Sequence, residues 1–261
     1  MAKLDLQAVK AVVGDTPHMH LDQAERLTDF IAEKGIREVL ELGFAHGVST
    51  CYMAAALSHL GGGHILTIDR EAARERSPNI EQLLEQLGER DRVTVSYEPS
   101  SYTWRLMKML EEDPRPRFDF CYLDGAHTWA VDGFAFLLVD RLLKPGGWII
   151  FDDLNWSHDR SPMLANSELL NEIPAEERST PQVRKVYELL VKPHPAYHNF
   201  MEDHGWAYAQ KREDATHGVR EKEVVVERVV EVEKEYLGLG GLLMRIAKRL
   251  QRPGGRAAPA R

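Results

Sequence analysis

Short apolar runs alternate with segments of helical periodicity from residue 36 to about residue 192, and this order constrains the fold more than any other feature of the chain. The strand-like runs are REVLELG, HILTID, RVTVSYE, FDFCYLDG and WIIFDD. Strands that alternate with helices in this way predict crossover connections and a parallel sheet covered by helices on both faces. We therefore expect an α/β fold with a doubly wound, mostly parallel sheet, similar in layout to a Rossmann fold.

Two further runs follow, and they complete the predicted sheet with seven strands. YHNFMED and WAYAQKR are separated only by the dipeptide HG, so they are predicted to form a terminal antiparallel hairpin. The polar, irregular segment 154–180 follows the fifth strand, where lids and substrate loops occur. We assign residues 1–35 to an N-terminal helical cap and residues 36–213 to one α/β domain with a lid or substrate loop at 154–180.

The chain changes character from about residue 214. Apolar residues recur from Val225 to Leu250 with the alternating spacing that is typical of a helical heptad seam. Residues 214–261 are therefore predicted to form a helical tail with a basic, disordered end. Three roles stay open for it: self-association into a homo-oligomer through a coiled coil, docking on the parent domain, and peripheral contact with an anionic membrane surface.

Composition excludes several classes of protein. The net charge of −8 argues against a nucleic acid partner, because phosphate binding needs a basic face. Cys51 and Cys121 both lie in apolar stretches, which predicts buried free thiols rather than a disulfide. No apolar run is long enough for a membrane helix, and the first residues lack the apolar region of a signal peptide. We expect a cytoplasmic protein.

The glycine-containing turn after the first strand indicates the kind of ligand. Its pattern is Glu41-x-Gly43-x-x-x-Gly47, which has neither the third glycine of a dinucleotide fingerprint nor the lysine of a phosphate-binding loop. An acidic residue beside the turn disfavours pyrophosphate and favours a ligand with an ammonium group. Asp69 ends the second strand, where a carboxylate accepts hydrogen bonds from both ribose hydroxyls. A nucleoside with a cationic amino-acid portion fits these features, and S-adenosylmethionine is such a ligand.

The ordered motifs ELGFAHG, TID, YLDGAH and LKPGGWIIFDD resemble those of class I S-adenosylmethionine-dependent methyltransferases. LDGAHTW followed by KPGGWIIFDD is similar to the small-molecule O-methyltransferase branch, which includes sugar and natural-product methyltransferases. The resemblance covers roughly residues 36–153 and implies an enzyme that methylates a hydroxyl of a small-molecule acceptor.

The resemblance also implies which residues bind the cofactor S-adenosylmethionine. Glu41, Gly43 and Gly47 would hold its methionine end, and Asp69 its ribose. Asp124 would also contact the cofactor, and Ser100 falls where the family contacts adenine. An alternative role for Ser100 is the N-cap of the helix that begins with YTWRLM.

Three carboxylates are predicted to meet at the binding edge of the sheet. Asp124 ends the fourth strand, and Asp152 and Asp153 end the fifth, so a parallel sheet places them on the same edge. Carboxylate oxygens suit Mg²⁺. The branch resembled includes enzymes that bind a divalent metal at these positions, so we expect Asp124, Asp152 and Asp153 as ligands. The alternative is a helix cap or a contact with the cofactor.

His127 is the candidate general base, because an imidazole titrates near neutral pH and accepts a proton from a hydroxyl. Its alternative role is a hydrogen bond that orders the LDGAH turn. Some metal-dependent relatives have an aspartate at the position of Ala126, so the departure here puts direct transfer of their mechanism in doubt. Asp124 is the second catalytic candidate, and His158 is a further candidate base. Trp129, Trp156 and Tyr102 are candidates either for an acceptor pocket or for core packing.

The leading functional hypothesis is an O-methyltransferase assisted by Mg²⁺. A metal-independent N-methyltransferase is compatible with the same cofactor site. A non-catalytic scaffold assembled through the tail is the third hypothesis, and failure to bind S-adenosylmethionine would favour it.

Overall fold

A computed structural model describes residues 4–215 apart from residues 162, 163, 165 and 166. Its core is a seven-stranded sheet with the order β3-β2-β1-β4-β5-β7-β6. The first five strands are parallel, and β7 is antiparallel to both β5 and β6. The strands are β1 (Glu38–Leu42), β2 (His64–Arg70), β3 (Val93–Glu98), β4 (Phe118–Leu123), β5 (Leu143–Phe151), β6 (Tyr197–Asp203) and β7 (Trp206–Lys211). The predicted α/β fold with its terminal antiparallel hairpin is therefore confirmed.

The helices cover both faces of the sheet. They are α1 (Leu6–Val13), α2 (Leu21–Lys34), α3 (Val48–His59), α4 (Ile80–Leu87), α5 (Tyr102–Glu111), α6 (Trp129–Leu142), α7 (Leu169–Glu172), α8 (Ala175–Ser179) and α9 (Gln182–Val186). Apolar residues of α1 to α4 form one core cluster with the sheet, and those of α5, α6 and α9 form a second. Each face of the sheet thus buries its own set of side chains, as a doubly wound fold requires.

The carboxyl ends of the parallel strands share one edge, and this edge positions the candidate site. The ladder pairs Leu42 of β1 with Ile68 of β2 and with Leu123 of β4, and Leu123 with Phe151 of β5. The residues that follow these strand ends are therefore neighbours in space. The candidate site is built from them.

The fifth strand begins earlier than the sequence predicts. The predicted strand WIIFDD begins at Trp148, but β5 starts at Leu143 and includes the preceding LKPGG. The pairing with β4 shifts register between Phe118 and Phe120, which absorbs the extra residues. Such an irregularity lets glycine and proline lie within a strand at the edge far from the site.

The segment between β5 and β6 contains short helical pieces. A 3₁₀ turn at His158–Arg160 precedes α7 and α8, and α9 continues into a π-helical turn at Tyr187–Val191. The proposed lid or substrate role of residues 154–180 stays a prediction. The predicted heptad tail, apart from residues 214 and 215, lies outside the described residues. In the part of the chain that is described, no helix is long and apolar enough to cross a membrane.

Candidate active site

The turn after β1 needs glycine for steric reasons. Gly43 has φ of 90°, and a Cβ added there would lie 2.0 Å from the carbonyl oxygen of Asp124. Gly47 has φ of 92° and precedes α3, and a Cβ there would lie 2.5 Å from Cγ1 of Ile80. Both positions therefore exclude larger residues through the protein's own packing. Contact of either glycine with the cofactor stays a prediction.

Glu41 is buried beneath this turn. Its carboxylate accepts hydrogen bonds from the hydroxyls of Ser49 (2.5 Å), Thr50 (2.5 Å) and Thr67 (2.6 Å). Burial raises the pKa of Glu41 to about 7, and the three hydroxyls oppose that rise. With no exposed surface, the carboxylate joins β1, β2 and α3 from inside the domain. Its predicted direct contact with the methionine end stays untested.

Asp69 lies at the same turn and is partly exposed. Its Oδ2 accepts hydrogen bonds from the backbone N–H of Phe44 (3.0 Å) and of Ala45 (2.8 Å). A cavity of about 160 Å³ opens beside it, lined by Asp69, Arg70, Ala72, Ala73, Glu75 and Arg76. Its Oδ1 accepts from the backbone N–H of Arg70 at 2.6 Å. Asp69 thus fixes the glycine turn and lines a cavity, and its contact with the ribose stays a prediction.

Ser100 does not cap the helix after β3. The N-cap of α5 is Ser101, whose hydroxyl accepts a hydrogen bond from the N–H of Thr103 at 3.2 Å. The N-cap alternative for Ser100 is therefore wrong by one residue. Ser100 is exposed at the carboxyl end of β3, and its predicted contact with adenine stays a prediction.

Asp124, His127 and Asp153 come together at the ends of β4 and β5. The Nε2 of His127 lies 3.8 Å from Oδ1 of Asp124 and 3.6 Å from Oδ2 of Asp153. One ligand atom from each residue lies within 4.8 Å of the other two. Burial first, and then the charges of Asp152 and Asp153, raise the pKa of Asp124 well above its usual value. Burial also raises the pKa of Asp153.

Asp152 is held by donors of the protein itself. The hydroxyl of Tyr122 donates to its Oδ2, and the N–H of Asp153 donates to its Oδ1 at 2.6 Å. The residue is buried, and its charge still acts on Asp124 and on His127. The structure groups His127 with Asp124 and Asp153, and a metal site of Asp124, Asp152 and Asp153 stays a prediction.

His127 does not order the LDGAH turn. The turn is fixed by Tyr102 and Asp132: the N–H of Ala126 donates to the Tyr102 hydroxyl at 3.1 Å, and the N–H of Thr128 donates to Asp132 at 3.0 Å. The Tyr102 hydroxyl itself donates to Asp132. The Nδ1 of His127 is buried and has no hydrogen-bond partner among the described residues. Burial lowers the pKa of His127, and the Asp132 and Asp152 carboxylates oppose that effect.

The three aromatic residues named as candidates for the acceptor pocket lie in different surroundings. Trp156 contacts both imidazoles, with ring centroids 5.1 Å from His127 and 4.8 Å from His158. Trp129 is exposed at the start of α6, and Tyr102 is buried under the LDGAH turn. Trp156 is thus the aromatic residue that lines the acidic edge. The sequence analysis did not identify Asp132 as the partner of Tyr102. The available signal was the position of Asp132, four residues after Thr128 in the first turn of a helix, where an acidic residue indicates capping.

Comparisons with known proteins agree with the fold. Residues 40–154 match the family model described as "Methyltransferase domain". This match identifies the segment as a methyltransferase domain and confirms the resemblance to class I S-adenosylmethionine-dependent methyltransferases. A search of curated proteins gives no match.

Solved structures show the same fold at low identity. An O-methyltransferase from Bacillus cereus in complex with SAH is 22% identical, with a TM-score of 0.57, covering 79% of this chain and 88% of that one. The O-methyltransferase TomG from Streptomyces achromogenes, in complex with SAM, is 18% identical, with a TM-score of 0.56 and coverage of 79% and 86%. A putative caffeoyl-CoA O-methyltransferase from Staphylococcus aureus is 20% identical, with a TM-score of 0.55 and coverage of 81% and 93%.

Proposed function

Residues 40–154 form a methyltransferase domain, and from this premise we propose that the protein transfers the methyl group of S-adenosylmethionine to a hydroxyl of a small molecule, such as a sugar or a natural product. One observation carries the proposal. The glycine turn with Asp69, at the carboxyl ends of β1 and β2, and the cluster of His127 with two carboxylates, at those of β4 and β5, lie on the same edge of one parallel sheet. A methyl donor and a proton acceptor are needed side by side for such a transfer.

His127 is the proposed proton acceptor. S-adenosylmethionine supplies an electrophilic methyl group on a sulfonium centre. The acceptor hydroxyl loses its proton as its oxygen takes the methyl group, and Nε2 of His127 is placed to accept that proton. Because burial lowers the pKa of His127, the imidazole is neutral and able to act as a base at pH 7. Asp124 and Asp153, within 3.8 Å, then stabilise the imidazolium that forms.

Asp124, His127 and Asp153 also fit a divalent cation. Two ligands on one ion with bonds of about 2.1 Å are at most about 4.2 Å apart, so the observed atoms need only small shifts. Burial raises the pKa values of Asp124 and Asp153, and the charges of Asp152 and Asp153 add to the rise at Asp124, which a bound cation would oppose. An imidazole nitrogen beside two carboxylates suits Mn²⁺ or Zn²⁺ better than the all-oxygen set that Mg²⁺ prefers. When bound, the ion would lower the pKa of the acceptor hydroxyl and orient it.

The activity is tested with the full chain. Calorimetry measures binding of S-adenosylmethionine, and a panel of hydroxylated acceptors is screened for formation of S-adenosylhomocysteine. His127→Gln is expected to lower kcat by about 100-fold while the cofactor affinity is retained. His204→Gln is the matched control, because His204 lies in the exposed turn between β6 and β7. A chain that does not bind S-adenosylmethionine would contradict the proposal.

The cation site has its own test. Binding of Mn²⁺ is measured by electron paramagnetic resonance on metal-free protein and on single variants. Asp124→Asn and Asp153→Asn are expected to abolish binding, whereas Asp152→Asn is expected to retain it, because an Asn oxygen still accepts from Tyr122. Equal loss in all three variants would restore the trio predicted from the sequence. Full turnover in excess chelator would remove the cation from the mechanism.

A further inference from the structure

Basic side chains gather beside the glycine turn, apart from the acidic cluster. They come from three segments: His18 between α1 and α2, His46 within the turn, and Arg76 after the 3₁₀ turn Glu71–Glu75. The rings of His18 and His46 stack with centroids 5.9 Å apart and an interplanar angle of 24°. The Nη1 of Arg76 lies 3.4 Å from Nε2 of His46. Segments distant in sequence thus bring three potential cations together.

His46 contacts both Pro78 and Arg76. Its Nδ1 lies 2.7 Å from the carbonyl oxygen of Pro78. A carbonyl only accepts, so Nδ1 carries the hydrogen and donates. The Nε2 atom faces Nη1 of Arg76. His46 is therefore a bridge that orients the Arg76 side chain beside the turn.

Arg76 has no carboxylate partner for its charge. It is exposed, makes no ion pair in the described part of the chain, and lines the same cavity as Asp69. The nearby Arg74 differs, because its Nε pairs with Glu71 at 2.7 Å and its guanidinium lies over the ring of Tyr97. A guanidinium held in place by a histidine keeps most of its N–H groups available for an external anion.

His18 lies within electrostatic reach of the proposed base. Its pKa is lowered by burial and then by the charge of Arg76, with smaller contributions from His46 and His127. His18 also has φ of 88°, which is unusual for a residue other than glycine.

We propose that Arg76 and His18 form a subsite for an anionic group, a carboxylate or a phosphate, on the methyl acceptor, with His46 as the positioning residue. The inference rests on the proposed function, since it assigns a substrate class to the same site. A protein with a net charge of −8 repels anions in general, so an anionic acceptor needs a local basic group of this kind. Arg76 offers the planar donor pair that both anions accept.

The subsite is tested by anion binding to the full chain saturated with S-adenosylhomocysteine. Inorganic phosphate and benzoate are titrated separately by calorimetry. We expect at least one of them to bind, and Arg76→Gln to weaken that binding by about ten-fold. Arg74→Gln is the matched control and is expected to behave as the wild type. Binding of benzoate alone assigns a carboxylate acceptor, and binding of phosphate alone assigns a phosphorylated one.

A second measurement separates this subsite from the cofactor site. S-adenosylmethionine carries a carboxylate of its own, so its affinity is measured for Arg76→Gln and for the wild type. Unchanged cofactor affinity with weakened anion binding supports the subsite. Cofactor affinity that falls together with anion binding would assign Arg76 to the cofactor and overturn the inference. Absence of anion binding while S-adenosylhomocysteine binds would also overturn it but would leave the proposed function standing, whereas absence of cofactor binding would refute that function itself.

Discussion

Glu41→Gln is expected to change how the stability of the protein depends on pH. The Glu41 carboxyl is fully buried and accepts three hydroxyl hydrogen bonds, and burial nevertheless raises its pKa from 4.5 to about 7. A carboxyl with a raised pKa binds its proton more tightly in the folded state than in the unfolded state. The stabilisation that this proton provides is fully present below pH 4.5 and is lost as the pH rises through about 7.

The size of this change in stability follows from the shift in the pKa of Glu41. The difference between 4.5 and about 7 corresponds to about 3 kcal/mol in the free energy of unfolding, and most of it falls between pH 5 and pH 8. The glutamine variant has no ionisable group at this position. Relative to the variant, the wild type should therefore lose about 2.5 kcal/mol of stability over this range.

Urea unfolding of the ligand-free protein at several pH values from 5 to 8 gives the measurement. The quantity compared is the difference in unfolding free energy between the wild type and Glu41→Gln at each pH. Glu38→Gln is the control, because it removes a carboxylate from the same strand at its partly buried first residue. Parallel curves for the wild type and Glu41→Gln would refute the argument, as would an equal change in the control.

Three further predictions concern other parts of the domain. Asp69→Ala should weaken S-adenosylmethionine binding by about 10- to 100-fold in calorimetry, because a charge-assisted partner of the ribose is lost; an unchanged affinity would place the cofactor elsewhere. Ser101→Ala should cost about 1 kcal/mol in urea unfolding because it removes the N-cap of α5, whereas Ser100→Ala should cost little. Lys211→Met should cost about 3 kcal/mol, since the buried Lys211 Nζ lies 3.1 Å from Asp140 Oδ1, and adding Asp140→Asn should recover part of the loss.

The order of the strands could be predicted because their sequences carry their own periodicity. Runs such as HILTID and FDFCYL are apolar enough to be buried on both faces, and each is followed by a helical pattern of the right length for a crossover. The exception is the start of β5, because a strand containing Pro145 and two glycines looks like a turn. Only pairing with β4 makes it a strand, and that long-range contact leaves no local signal.

The backbone positions of the candidate site residues could be predicted from the sequence, but the directions of their side chains could not. Asp124, His127 and Asp153 follow strand ends, so the fold alone brings their backbones together. Which way each side chain points depends on partners from other segments: the hydroxyl of Tyr122, on β4, holds the carboxylate of Asp152. The capping of α5 by Ser101 rather than Ser100 has the same origin, since a shift of one residue alters the direction of the side chain without altering the pattern.

His127 links the electrostatics of the site to its chemistry. Three carboxylates lie at one edge of the sheet, and burial and their mutual repulsion raise the pKa of Asp124 well above its usual value. A divalent cation or an imidazolium at His127 would offset this repulsion. The single lone pair of Nε2 can bind either the cation or a proton, but not both at once. If Nε2 binds the cation, the acceptor's proton must go to another group, and His158 also contacts the ring of Trp156. Loss of activity in His158→Gln only when Mn²⁺ is bound would then identify the metal-bound form as the active one.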